Sequence, residues 1–118
     1  MANSPKIKLG YVDNIYSRMM HFENEGDIEQ GHAHQFDHLT LLASGQLRVK
    51  IGDKITDYKA PYMIFIHKDV KHELTSLENN TVAYCIHVLR DVNTGNILDP
   101  KMVPNGVEIL SSSMSFIK

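Results

Sequence analysis

Three histidines lie within seven consecutive positions of this 118-residue chain, which has seven histidines in all. They are His32, His34 and His38, in the stretch GHAHQFDHLTLLASG, and an apolar run follows them. Side chains of an extended segment alternate between two faces, so positions i, i+2 and i+6 share a face unless a bulge intervenes. Neutral imidazole is a common ligand of divalent transition metals. The spacing therefore predicts a metal site rich in nitrogen ligands, which suits zinc, iron, copper or nickel better than magnesium or calcium.

A further imidazole ligand is available in the segment HKDVKHELTSL, which contains His67 and His72. These two residues are five positions apart, so a regular strand would direct them to opposite faces. We expect at most one of them to join the cluster unless the turn between them reorients the chain. The alternative for His32, His34 and His72 is that they are surface histidines in loops. For His38 it is a side chain that lines the cavity near a three-histidine metal, and for His67 a structural or edge-lining role.

Cys85 and His87 form a second pair of chemical interest, in the run VAYCIHVLR. They share a face if the strand is regular, and could then act as a metal pair or as a thiolate with an imidazole base. The commoner outcome is a small buried thiol beside a hydrogen-bonded histidine. In the same way, Phe36 and Tyr62 could wall a pocket, although aromatic side chains more often pack in a core.

The elements that must position these residues are short strands. No window of 12 residues has a helical apolar stripe, and runs rich in Val, Ile, Leu and Tyr recur between turn residues. A Gly52-Asp53 turn and Asn79-Asn80 punctuate these runs. The pattern predicts an all-β antiparallel sandwich or barrel. The predicted strands span residues 7–12, 18–23, 38–43, 46–51, 54–58, 62–67, 72–77 and 81–90, with a possible strand at VEIL near the end and a solvated loop over HFENEGDIEQGH.

Composition narrows the classes of function. The net charge is −2 with no basic face, so we expect no nucleic-acid partner. A single cysteine excludes an internal disulfide and is typical of a reducing, cytoplasmic location. The first residues contain no apolar signal sequence and no run is long enough to span a membrane, so we expect neither secretion nor a membrane partner.

The histidine spacing resembles the first motif of the cupin superfamily, G-x5-HxH-x3-4-E-x6-G. Here the chain reads His32-Ala33-His34, three residues, His38, six residues and Gly45, so histidine stands where the family usually has glutamate. The second motif, G-x5-PxG-x2-H-x3-N, lies over IHKDVKH. There His72 takes the histidine position, and His67, Asp69 and Ser76 replace the proline, glycine and asparagine. The chain thus resembles a small single-domain cupin of the RmlC-like superfamily.

This resemblance implies a cupin-type β-barrel, also called a jelly roll or double-stranded β-helix. It implies His32, His34 and His72 as metal ligands, with His38 as a fourth. The cofactor would be a divalent transition metal such as Fe, Zn, Ni, Mn or Cu. The resemblance favours a protein that acts on a small molecule, with a histidine-ligated dioxygenase as the nearest enzymatic analogy. The alternative is a non-enzymatic binding or sensor module whose metal is structural.

Length and sheet edges set the expected organisation. A chain of 118 residues predicts one domain covering 1–118. An unpaired sheet edge invites another chain, so we expect a homodimer. The segments 1–6 and 111–118 are expected to be flexible or exchanged in the dimer, with KIKLGYV and SFIK as the exchange elements.

Overall fold

The structure is a computed structural model that describes residues 3–34 and 36–98 and the backbone of 108–111, while the side chain of His32 lies outside the description. The described residues form strands and turns, without a helix. The strands are β1 (Lys6–Val12), β2 (Ile15–Phe22), β3 (Ile28–His32), β4 (His38–Ser44), β5 (Gln46–Ile51), β6 (Lys54–Lys59), β7 (Tyr62–Ile66), β8 (His72–Ser76), β9 (Thr81–Val88) and β10 (Glu108–Ser111).

The strands form two sheets. One has six strands in the order β10-β1-β2-β9-β4-β7, and the other has four in the order β3-β8-β5-β6. All pairings are antiparallel except that of β10 with β1, which is parallel. In the described part of the chain no strand pairing joins the two sheets, so the architecture is a sandwich of two layers. The all-β, antiparallel prediction is confirmed.

Alternation of side chains between the two faces builds the core. In β4, His38, Thr40 and Leu42 are buried, and β8 alternates in the same way through His72 and Leu74. The main core also contains Met20, Phe22, Leu47, Val49, Ile64, Ile66 and Ala83, contributed by both sheets. The histidines at the start of β4 and β8 therefore occupy positions on the inner face, where apolar residues are the usual choice.

The segment Ile28–His32 corrects one prediction. We expected a solvated loop over HFENEGDIEQGH, but its first two residues end β2 and its last five form strand β3, which pairs with β8 at the edge of the smaller sheet. The segment is rich in charged and polar residues, so its composition did not indicate a strand. An edge strand tolerates such residues because one of its sides, with its hydrogen-bonding groups, faces water. The strand expected at VEIL is present as β10. Of the segments expected to be flexible or exchanged, residues 1–2 and 112–118 lie outside the described part.

Two features bear on chain association and membranes. Strand β1, expected to be an exchange element, pairs within the chain with β2 on one side and β10 on the other. Across the described residues, no helix is long and apolar enough to cross a membrane.

Gly45 joins β4 to β5 and sets how closely the chain approaches Thr81. It has a φ of +81°, and a Cβ placed there would lie 2.8 Å from the Thr81 Cα atom. The Thr81 hydroxyl donates its one hydrogen to the Glu78 carbonyl oxygen at 2.8 Å, and the Gln46 carbonyl oxygen lies 3.2 Å from the same hydroxyl. A side chain at Gly45 would therefore displace a buried contact and not only strain the turn.

This difference predicts the relative effects of two glycine substitutions. Gly52 also has a positive φ, but a Cβ there would meet no atom within 4 Å. We expect Gly52→Ala to lower the free energy of unfolding by about 1–2 kcal/mol through backbone strain alone. Gly45→Ala should cost about 1–3 kcal/mol more because of the added clash. Urea unfolding followed by circular dichroism measures both, and equal losses would contradict the close approach at Thr81.

Candidate metal centre

Three imidazole rings meet at one end of the sandwich. The ring centroids of His34 and His38 are 5.3 Å apart, those of His34 and His72 5.5 Å, and those of His38 and His72 5.2 Å. Each ring is therefore a direct neighbour of the other two. Residues 38 positions apart in sequence, from 34 to 72, come together because β4 and β8 begin at the same end of the two facing sheets.

His38 is the most deeply placed of the described histidines in this cluster. Its side chain is 4% exposed, and neither Nδ1 nor Nε2 has a hydrogen-bond partner among the described residues. An imidazole buried without a partner is costly, because water satisfied both nitrogens before folding. Native structures usually supply a partner, an ordered water or an ion at such a position.

His72 is oriented by its own backbone. Its Nδ1 lies 3.1 Å from the carbonyl oxygen of Val70, which can only accept a hydrogen bond, so Nδ1 carries the proton. The lone pair of the neutral ring is then on Nε2. This is the arrangement by which a backbone carbonyl orients many metal-binding histidines.

Two hydrogen bonds donated by backbone N–H groups hold the segment that carries His34 against the turn before β8. The Asp69 N–H donates to the His34 carbonyl oxygen at 2.6 Å, and the Lys68 N–H donates to the Asp37 carboxylate at 2.7 Å. Asp69 has a φ of 60°, a left-handed conformation that aspartate tolerates better than most residues.

Gly31 allows β3 to reach this site. A Cβ on Gly31 would lie 3.0 Å from the carbonyl carbon of His72 and closer still to its oxygen. The pairing of β3 with β8 places the backbone of His32 directly opposite His72. The ring of His32 is a predicted ligand that lies outside the described part of the structure, so its ligation stays a prediction.

The structure brings His34, His38 and His72 together as expected, and it keeps His67 apart. His67 is exposed and its ring packs against Phe65, with centroids 4.7 Å apart. Among the described side chains, no three His, Cys, Asp or Glu residues are arranged as a group that could hold a metal ion. Metal binding by the four histidines therefore also stays a prediction.

His87 and Phe36 extend the cluster on one side. The ring centroid of Phe36 lies 4.2 Å from that of His87 and 5.0 Å from that of His34. The ring centroids of His87 and His38 are 6.3 Å apart. His87 Nδ1 donates to the Val88 carbonyl oxygen at 2.7 Å. Phe36 contacts both histidines and also packs against the small core cluster of Leu9, Tyr16 and Leu89, so it has the core-packing role considered from the sequence.

Cys85 lies one layer deeper than His87, and the two do not form a thiolate–imidazole pair. The Cys85 Sγ is 3.6 Å from the Thr40 hydroxyl, and burial raises the pKa of the thiol. A raised pKa suppresses the nucleophilic thiolate. The packing role considered from the sequence therefore describes Cys85 better than a catalytic one.

Sequence reasoning did not single out Arg18 and Glu29, which lie in the interior beside this site. Arg18 Nη2 donates to Glu29 Oε1 at 3.0 Å, across the two sheets. The alternation of strand β2 could have indicated the position of Arg18. Tyr16, Met20 and Phe22 are buried at even-numbered positions, and Arg18 also has an even number, so it faces the interior.

Comparisons with known proteins support the fold. No family model matches the chain, and no curated protein sequence matches it. Solved structures do. A cupin-2 domain protein of Shewanella frigidimarina superposes with a TM-score of 0.58 at 19% identity, covering 75% of this chain and 82% of its own.

Two further structures agree. An RmlC-like cupin of Methanocaldococcus jannaschii with a double-stranded β-helix fold has a TM-score of 0.63 at 10% identity, covering 74% of this chain and 82% of its own. KdgF from Halomonas has a TM-score of 0.60 at 13% identity, covering 70% and 77%. The chain therefore has the cupin fold.

The pKa of His38 predicts how the metal-free protein responds to acid. Burial, the largest cause, and the nearby charges of His72, His34 and His87 lower this pKa from 6.5 to about 3. Asp37 opposes the shift. The unfolded chain binds a proton at His38 near pH 6.5 and the folded chain does not until about pH 3. The contribution of His38 to stability is therefore lost as the pH falls through this window, by up to about 1.4 kcal/mol per pH unit.

A His38→Leu variant provides the comparison. We expect the free energy of unfolding, measured in urea with a chelator present, to fall more steeply between pH 6.5 and 4.5 in the wild type than in His38→Leu. The other titrating groups are common to both proteins, so the difference in slope reports His38. Parallel curves would show that His38 is not buried in the neutral form.

Proposed function

We propose that the chain is a metal-dependent cupin that binds a small molecule at a centre formed by His32, His34, His38 and His72. The observation that carries this proposal is the burial of His38 with both ring nitrogens lacking a partner. A metal ion would satisfy one of them. The proposal follows the histidine spacing and the cupin fold, and no other described group is placed to complete His38.

The spacing of the rings and their chemistry support this proposal, while the described side chains do not form a complete metal-binding arrangement by themselves. Two imidazoles that bind one zinc-like ion at about 2.0–2.1 Å have centroids about 4.5–5.5 Å apart. The three centroid separations of 5.2–5.5 Å fall in this range. Histidine binds metal in its neutral form, and the lowered pKa of His38 keeps that ring neutral at physiological pH. The Val70 carbonyl leaves Nε2 of His72 as the basic atom.

We propose oxygen-dependent oxidation of a small molecule as the reaction class. A bound divalent metal would supply a Lewis acid and, for iron, a centre for oxygen chemistry. All four proposed ligands are neutral, so no charge among the ligands would offset the metal's double charge, which favours an anionic ligand. Phe36, packed between His34 and His87, would exclude water on one side. The alternative is a closed tetrahedral four-histidine site with a structural role, because catalytic sites keep a position open.

Cobalt(II) titration tests the site. We expect one cobalt per chain in the wild type, loss of stoichiometric binding in the His32→Ala/His34→Ala double variant, and wild-type binding in His67→Ala. His67 is the matched control because it lies in the same region but outside the cluster. A folded double variant that retains one cobalt would contradict the ligand assignment.

The visible spectrum of the cobalt-loaded protein distinguishes a metal site with an open coordination position from a closed four-histidine site. Azide should shift the visible bands of the cobalt-loaded wild type if a coordination position is available, and oxygen uptake by iron-loaded protein can then be screened over small organic acids, sugars and phenols. A cobalt spectrum that azide leaves unchanged would favour the structural alternative over the enzyme.

A further inference from the structure

A charged layer lies directly beneath the histidine cluster. The pairing of β2, β9 and β4 places Tyr16 opposite His87 in one layer, and Arg18 opposite Cys85 in the next. Cys85 is in turn opposite Thr40, two residues beyond His38. A step of two residues along a strand is about 7 Å. Arg18 therefore lies one layer away from the proposed metal ligands, on the same inner face.

The ion pair of Arg18 with Glu29 spans the two sheets. Glu29 belongs to β3 and is opposite the buried Leu74 of β8, so its position is on the inner face of the smaller sheet. The side chains of Arg18 and Glu29 are 29% and 14% exposed. The pair thus lies inside the sandwich and remains accessible to solvent on the Arg18 side.

Stability alone does not account for a charged pair in this position. Removing two ions from water costs more than their attraction usually returns, and apolar residues of similar size are often at least as stable. In the described part of the chain, Nη2 of Arg18 donates to Glu29 and no other acceptor contacts the guanidinium. A guanidinium has five N–H donors in a planar fork that matches a carboxylate. Most of its donors are therefore available to a ligand.

We propose that Arg18 binds the anionic group of the small molecule, and that this molecule is a carboxylic acid with a second polar group that reaches the metal. This inference rests on the proposed function, because the metal would bind the other end. The separation of one layer favours a short-chain acid whose two polar groups are several bonds apart, and it disfavours a single-point ligand such as formate. Glu29 holds the guanidinium in place and leaves its other donors directed to the interior.

Succinate binding to the cobalt-loaded protein tests this assignment. By calorimetry we expect succinate to bind the wild type more tightly than its neutral diamide, succinamide. Arg18→Gln should weaken succinate binding by about tenfold or more, as for loss of a charge-assisted hydrogen bond, and should abolish the preference over succinamide. Arg18→Lys should give an intermediate affinity, because the charge is kept and the fork is lost.

The control is Arg48→Gln. Arg48 makes a two-point ion pair with Asp57 at 2.8 and 3.0 Å, on the exposed face of the smaller sheet. Removing it should leave succinate binding unchanged. If the wild type binds no cobalt, the proposed function fails. If cobalt binds and succinate affinity is equal in the wild type and Arg18→Gln, or succinate does not bind at all, the role of Arg18 is overturned. Should Arg18→Gln not fold, Arg18→Lys decides in the same way.

Discussion

The burial of His38 is the constraint on which the rest of this site depends. Strand β4 alternates between core and surface, and its first inward position holds an imidazole where an aliphatic side chain would pack at no polar cost. Both ring nitrogens lose water and gain no partner from the described residues. The desolvation that makes this position expensive also lowers the pKa of the ring, so that the interior contains a neutral nitrogen base rather than a cation.

The surrounding backbone is arranged to keep the other histidines beside His38. The turn before β8 is fastened to the segment before β4 by the hydrogen bonds of Asp69 and Lys68. On the opposite side, the absence of a side chain at Gly31 lets β3 lie against the backbone of His72. Three short segments from separate parts of the chain are thus held at one end of the sandwich. These contacts keep the rings of His34 and His72 next to that of His38.

Polar residues continue inward from the histidines on part of the inner face. Thr40, Arg18 and Glu29 lie in the next layer beside Ile64 and Leu74 of the main apolar cluster, which continues beyond them through Met20, Leu42 and Ala83. A small domain buries a smaller fraction of its surface than a large one, so an ion pair in its interior reduces an apolar area that is already limited. The outer surface of the same sheet shows the reverse distribution, with large apolar side chains facing outward. The six-stranded sheet is therefore partly polar on its inner face at one end and apolar on the outer face of β4 and β7.

The sequence by itself determined the strands, most of their limits and the resemblance to cupins, because alternation and turn residues are local signals. It also identified His34, His38 and His72 as neighbours, through motif spacing. It did not show that Ile28–His32 is a strand, since the pairing of that polar segment depends on β8, which lies more than forty residues away. Nor did it show that Arg18 meets Glu29 or that His38 is left without a partner. Those outcomes depend on which residue the opposite sheet presents at each inward position, and only the packing of the two sheets decides that.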